Sequence, residues 1–409
     1  HAGLDFSGLI NRLVESASAR YFGTPTPHPL PPSKQNPDAV IFSVLTQRRD
    51  RMEDRLKRWT QISSRTDDAV SIRSAAREIT QVFQDLNMKP VEALSDEPSV
   101  WTWESKAGLL DGTLLISHLD VPLAPSVHFQ SFRREPEWLH GEGIASSRGP
   151  IVMLEFVLRA LQSARLLSKK RIGILLYADE GHDCRYSADW IEKAAQQAAR
   201  VIVLRPQIQR DSIITERRGQ RTYRLIVEGA HRRIDKNVAK PDAFRWASAR
   251  LSEFSELSSA AQRLSIAAVD VHTSSFPMLL PHRVTAKILM TYFTTQSADE
   301  AEREMRRILA KNSFKVELEL VSDRPPLSPR RINAKLAGEL ASIAEKWEIP
   351  LQKQSSVLPS AAGLAPATTP VVCGLGPVAQ DLYTPREAIS RLSLLQRTLL
   401  LAQYLAEKE

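Results

Sequence analysis

The sequence has only two cysteines in 409 residues, Cys184 and Cys373, and they do not form a CxxC pair. Two such thiols build no disulfide framework, so a reducing compartment, the cytoplasm, is the expected location. No apolar run approaches the ~20 residues that span a bilayer, so no membrane partner is expected. The first residues lack a basic segment followed by an apolar core, and no secretory leader is expected. Charge is not segregated either. The net charge is +8, but the basic pairs Arg48–Arg49, Arg232–Arg233 and Arg330–Arg331 are scattered and not interleaved with aromatic residues. A nucleic-acid partner is therefore not expected.

What is present is ordinary globular material, 43% apolar and 25% charged, and long enough for two or three domains at roughly 100–200 residues each. Residues 1–38 read as an appendage: Phe6, Leu9, Ile10, Leu13 and Val14 recur at helical spacing, and Pro25, Pro27, Pro29, Pro31 and Pro32 then enforce an extended segment. From about residue 39 a domain begins. Ile72, Ala75, Ala76, Ile79, Val82, Phe83 and Leu86 mark one face of a helix. Short apolar segments at 99–104, 113–117, 171–177 and 200–204 read as strands, with helices at 151–167 and 187–199 among them. Strands alternating with helices predict an α/β domain with a mainly parallel sheet covered on both faces.

The middle section changes pattern. Strands at 222–228, 264–272, 283–292 and 314–320 and helices at 241–260 and 297–311 fall in the order β-α-β-β-α-β, that of a ferredoxin-like unit. The α/β pattern then resumes with a helix at 332–347, a strand at 369–373 and a long helix at 386–408. The predicted architecture is one α/β domain, residues 39–214 and 323–409, interrupted by a ferredoxin-like domain at 215–322.

In an open α/β sheet, ligands bind beyond the carboxyl ends of the strands. Four such ends carry polar residues here. The strand at 113–117 runs into His118-Leu119-Asp120, the strand at 171–177 into Asp179-Glu180-Gly181-His182-Asp183, and the strand at 200–204 into Arg205-Pro206; the loop Gly141–Gly149 lies between them in sequence.

In order and at matching intervals, ISHLDVPL, GEGIASSRGP, YADEGHD, LRPQ and CGLGPVAQDLYTPREAI resemble five motifs. They are the HxD, GxGxxDxKGG, DEE, EP and GxGxxxxxxHxxxE of the di-zinc aminoacylase and carboxypeptidase family. That family includes acetylornithine deacetylase, succinyl-diaminopimelate desuccinylase and the carnosinase-like dipeptidases. The resemblance covers roughly residues 50–409 and implies a zinc-exopeptidase-like α/β domain with an inserted lid and dimerisation domain.

The departures are as informative. Five side chains hold two zinc ions in the family. Carried over motif by motif, His118 is retained, and the other four positions hold Ser146, Gly181, Arg205 and Tyr383. Glu180 stands where the family has its general base, and Asp120 where an acid orients the ligating histidine. The asparagine that the lid supplies before a proline falls on Met278, and a lid histidine is matched loosely by His231. Arg205 brings a fixed positive charge where a dication would sit, and two charges against one at ~5 Å repel by a few kcal/mol at an effective dielectric of about 20. No metal and no cofactor is therefore expected, with His182, Asp183 and Cys184 as the residues that would have to rebuild a metal site.

Three functions follow from the resemblance. The first is a binding or scaffold protein that keeps the fold. The second is metal-independent acyl or amide chemistry on an amino-acid-like substrate. It would use Glu180 and a Ser146–His118–Asp120 arrangement of hydroxyl, base and orienting acid, with Ser147 as the alternative hydroxyl. The third is a divergent metal-dependent amide hydrolase. Arg205, Arg148 and Tyr383, with Arg185 nearby, are the expected contacts for a small ligand bearing a carboxylate, since guanidinium groups hold carboxylates through paired hydrogen bonds. Pairing of two chains through the inserted domain is expected to give a homodimer.

Overall fold

The computed structural model describes residues 36–91, 99–124, 126–208, 211–235, 241–274, 276–310 and 314–408. The appendage expected at 1–38 lies almost wholly outside the described residues. Helices α1 (Pro37–Gln47), α2 (Arg49–Thr60) and α3 (Ala69–Asp85) open the described chain. Strands β1 (Lys89–Val91), β2 (Val100–Glu104), β3 (Thr113–His118), β4 (Arg133–Arg134) and β5 (Trp138–His140) follow. Next come α4 (Gly149–Ser163), β6 (Ile172–Tyr177), α5 (Ala188–Gln197), β7 (Arg200–Val203) and β8 (Ser212–Arg217). The inserted unit is β9 (Gly219–Glu228), α6 (Ala243–Glu256), β10 (Ser265–Thr273), β11 (Arg283–Tyr292), α7 (Thr295–Ala310) and β12 (Lys315–Arg324). The chain closes with α8 (Arg331–Lys346), β13 (Gln352–Ser356), β14 (Val371–Cys373), β15 (Ala379–Gln380), β16 (Ala388–Ser390) and α9 (Arg391–Glu407).

The larger sheet has the order β1-β2-β6-β3-β7-β14-β8-β13. Its centre, β6-β3-β7-β14, is parallel, and β3 and β6 are buried at every residue. That burial explains why these strands read as continuous apolar runs rather than as alternation. One face packs on α3, α4 and α9 through Phe83, Leu154, Leu158, Leu400 and Tyr404, the other on α5 through Ile191 and Ala195. The expected face of α3 is the buried one, from Ile72 to Phe83.

The inserted unit forms its own antiparallel sheet, β10-β11-β9-β12, with α6 and α7 on one face around Tyr223, Leu225, Phe254, Ile288, Met290 and Met305. The fold is thus a mixed α/β domain carrying an inserted α+β domain, the lid of the resemblance.

Several boundaries differ from the sequence reading. The last helix begins at Arg391, not 386, because Ala388–Ser390 pairs with β5 and the Ser390 hydroxyl then caps the helix by accepting from Ser393 N. Helix α4 stops at Ser163, with Arg165 in a left-handed conformation (φ 59°) turning the chain. Strand β13 (Gln352–Ser356) is polar and gives no apolar signal, and β8 (Ser212–Arg217) offers only the buried pair Ile213 and Ile214, too short a run to read as a strand.

Candidate functional site

Strands β3, β6, β7 and β14 are parallel, so the loops that follow them converge at one end of the sheet. His118 is the last residue of β3. Its Nδ1 lies 2.9 Å from the carbonyl oxygen of Asp120 and 3.3 Å from the Asp120 carboxylate. The carbonyl can only accept, so Nδ1 carries a proton. Nε2 is buried and has no partner among the described residues. Burial pulls the pKa of His118 down, but the hydrogen bond and charge of Asp120, with the charge of Glu180, raise it above its ordinary 6.5. Asp120 itself is enclosed: it accepts from Thr66 Oγ1 (2.7 Å), Glu180 N (3.2 Å) and Gly181 N (3.1 Å).

Glu180 follows β6 and is buried. One carboxylate oxygen accepts from Arg205 Nη1 (2.6 Å), Arg324 Nη1 (3.1 Å) and Tyr383 Oη (3.4 Å), the other from Tyr177 Oη (2.8 Å). Burial alone would raise its pKa, but the two guanidinium charges win and hold it far below the usual carboxylate range. The same burial pushes both phenols, Tyr177 and Tyr383, up. Tyr383 reaches Glu180 from a left-handed backbone (φ 64°), a conformation that costs a non-glycine residue about 1–3 kcal/mol.

Arg324, absent from the sequence reading, is the last residue of the lid's β12. It donates to Glu180 and, through Nη2, to Asp183 at 2.8 Å. Asp183 also accepts from Gln220 (2.8 Å) and Thr222 (2.7 Å) of lid strand β9. Lid and α/β domain are therefore joined by a buried ion network, Arg205–Glu180–Arg324–Asp183. The sequence signal for Arg324 is indirect: a buried carboxylate without metal requires cations, and nothing in the spacing points to one 144 positions away.

The loop before α4 departs from expectation. Ser147 N and Arg148 N both donate to Gly143 O, the second bond spanning five residues in a wide turn. Gly143 sits at φ 64°, and a Cβ there would meet Val121 Cγ2 at 2.4 Å, so glycine is required. The expected Ser146–His118–Asp120 arrangement does not form. The amide and hydroxyl of Ser146 donate to Glu387 (3.1 and 3.3 Å), and Ser147 Oγ donates to the carbonyls of His118 and Leu119. Arg148 is not a ligand contact: its guanidinium is buried over the Trp59 ring and donates to Ile62 O, Leu119 O and Ser64 Oγ. Arg205 is likewise used inside the protein, on Glu180, and Arg185 lies outside it, 4.0 Å from Glu319. Glu387 ends the last of the five motifs, so its position is legible in the sequence, whereas its partners are not. It is buried, accepts from Ser146 and from Tyr383 N (3.3 Å), and burial raises its pKa to about 7.

The donor set does not fit two zinc ions. Of the five positions, His118 alone offers a metal-binding side chain, and zinc uses three or four N, S or O ligands. A Cβ at Gly181 would lie 2.4 Å from Thr66 Oγ1, so Thr66 fills the space of the missing carboxylate. His182 faces outward on Asp67 (3.1 Å), Asp183 is committed to the lid, and Cys184 is buried with Sγ 4.0 Å from Glu180. Among the described residues no three His, Cys, Asp or Glu side chains gather as metal ligands.

Beside this network a cleft of about 290 Å³ opens between the loop after Glu180 and the uncovered face of the lid sheet. Arg185, Tyr186, Arg224, Asp270, His272 and Lys287 line it. Arg224 pairs with Glu319 and His272 with Asp270, whereas Lys287 has no ion-pair partner among the described residues.

No protein-family model matches the chain, and no curated protein matches its sequence. Solved structures match its fold. The di-peptidase Dug1p from Saccharomyces cerevisiae superposes with a TM-score of 0.70 at 12% identity, over 91% of this chain and 98% of that one. Human carnosine dipeptidase 1 gives 0.66 at 13%, over 90% and 99%, and a hydantoinase/carbamoylase family amidase from Burkholderia vietnamiensis gives 0.65 at 13%, over 88% and 97%. Among the described residues no helix is long and apolar enough to cross a membrane.

Proposed function

We propose that this chain is a non-hydrolytic binding protein built on the fold of the dipeptidases and amidases, and that it takes a small carboxylate-bearing ligand in the cleft between its two domains. One observation carries the reading. Glu180, where the resemblance implies a general base, is enclosed by two guanidinium groups and two phenols. A general base works best with a pKa near the operating pH and a lone pair within reach of water. Glu180 is buried and far too weak a base. The resemblance implied a carboxylate clamp at Arg205; with Arg205 committed, Lys287, which has no ion-pair partner among the described residues, and the weakly paired Arg185 take that role.

The test combines three measurements. Purified protein should contain well under one zinc per chain. It should not hydrolyse dipeptides or N-acyl amino acids when Zn²⁺, Mn²⁺ or Co²⁺ is supplied. In calorimetry it should bind one such carboxylate with an affinity insensitive to chelator and reduced in Lys287→Glu. Metal-dependent turnover abolished by His118→Ala would overturn the proposal.

A second reading, metal-independent acyl chemistry, rests on a single pair: a buried carboxyl titrating near neutrality, Glu387, bonded to the Ser146 hydroxyl. Turnover that survives chelation and disappears in Ser146→Ala would select it.

A further inference from the structure

The arginines of the segment RRDRMEDRLKR are scattered in sequence but not in space. Arg48 precedes α2, and Arg51, Arg55 and Arg58 follow at intervals of three, four and three. At 3.6 residues per turn these four fall on one stripe of the helix. The stripe faces α3 across a groove of about 520 Å³ whose floor is α4. A fifth arginine, Arg159 of α4, joins from that floor. The groove lies on the α/β domain and shares no residue with the ion network or the interdomain cleft.

Its lower part is built and largely compensated, with Arg55, Arg58 and Arg159 paired to two acids. Glu155, buried in the floor, accepts from Arg55 Nε (2.8 Å) on one oxygen and from Arg159 Nε and Nη2 (3.0 and 2.8 Å) on the other. Glu78 of α3 accepts from Arg55 (3.1 Å) and lies 3.1 Å from Arg58. The Arg55 guanidinium also sits 5.8 Å from the centre of the Trp59 ring. These bonds fix two guanidinium planes before any ligand arrives, which lowers the ordering cost of binding. The upper part is not compensated: Arg48 and Arg51 have no ion pair among the described residues. Counting the lining, five arginines face three acids, Glu78, Asp85 and Glu155, which leaves an excess of two positive charges.

We infer that this groove is a binding site for a small polyphosphate-bearing molecule, one with two or more linked phosphoryl groups. A monoanion would leave one of the two excess charges unanswered. Guanidinium forks match phosphoryl oxygens in pairs, and arginines rather than lysines line the groove. An acidic amphipathic helix is a poorer occupant because the apolar members of the lining, Val82 and Phe156, are buried and offer it no contact.

The test titrates the full chain with tripolyphosphate in calorimetry at about 0.15 M salt, where long-range surface attraction is largely screened. Sulfate, a pentaglutamate peptide and single-stranded DNA are titrated in parallel. One tripolyphosphate should bind per chain, more tightly than each of the other probes. The Arg48→Ala/Arg51→Ala double variant should lose at least about tenfold in affinity, because it removes the two guanidinium groups that have no ion pair among the described residues. Lys57→Ala, on the same helix but outside the groove, should bind as the wild type does. Both altered arginines are outside the core, so the double variant should keep the wild-type thermal midpoint, and that measurement separates lost binding from lost folding. The inference is overturned if tripolyphosphate does not saturate, if the folded double variant binds it unchanged, or if pentaglutamate or DNA binds more tightly.

Discussion

Glu180→Gln separates a structural ion network from an idle catalytic base. In the wild type the Glu180 carboxylate is buried, with Arg205 at 2.6 Å and Arg324 at 3.1 Å on one oxygen and Tyr177 at 2.8 Å on the other. The amide keeps the shape but removes the charge that faces two buried guanidinium groups. Arg324 retains Asp183, while no other carboxylate is bonded to Arg205 among the described residues. Removing one member of a buried ion pair costs about 3–5 kcal/mol, because the remaining charge is left without a counter-ion. A relic base in an otherwise unused site behaves differently, since its loss is within about 0.5 kcal/mol or stabilising. The assay is urea unfolding of the full chain, followed by tryptophan fluorescence. A double-mutant cycle with Arg324→Met should show a coupling of about 1–3 kcal/mol. Glu180→Gln with wild-type stability would refute the structural role. The pH dependence adds a sign: the folded pKa of Glu180 lies below its ordinary 4.5, so its contribution is present above 4.5 and is lost as pH falls below it.

Glu387 should act in the opposite direction. Its folded pKa is raised from 4.5 to about 7, so its contribution is fully present below 4.5 and is lost as pH rises through about 7; thermal midpoints across that window should fall in wild type and flatten in Glu387→Gln. Gly181→Ala places a Cβ 2.4 Å from Thr66 Oγ1 and should lower stability by about 1–3 kcal/mol, measured by chemical unfolding; an unchanged midpoint would show that the loop relaxes freely. A homodimer through the lid is expected at the edge strand β10, which exposes Val269 and Val271; sedimentation should give a dimer at micromolar concentration and a monomer in Val269→Pro.

The sequence by itself determined the order and kind of the main elements. The apolar runs at 113–117 and 171–177 read as buried strands and the periodic face from Ile72 to Leu86 as a core helix, and the fold has them so. It also determined which loops meet, because parallel strands bring their carboxyl ends to one side whatever the distances turn out to be. The strands β8 and β13 stayed hidden, since a polar edge strand and a two-residue apolar run carry no period that distinguishes them from loop.

Only the tertiary structure decided who partners whom. Ser146 lies next to a carboxylate 241 positions away rather than to His118, and Glu180 is neutralised by Arg324 from 144 positions away. Arg148, one residue from a loop that looks catalytic, turns inward to backbone carbonyls. Hydrogen bonds and ion pairs act over about 3 Å, and one rotamer moves a guanidinium by more than that, so spacing in sequence constrains them weakly. Hydrophobic periodicity is summed over many residues and survives such uncertainty. The fold was therefore written in the pattern of the chain, and the chemistry of its centre in contacts that only folding brings together.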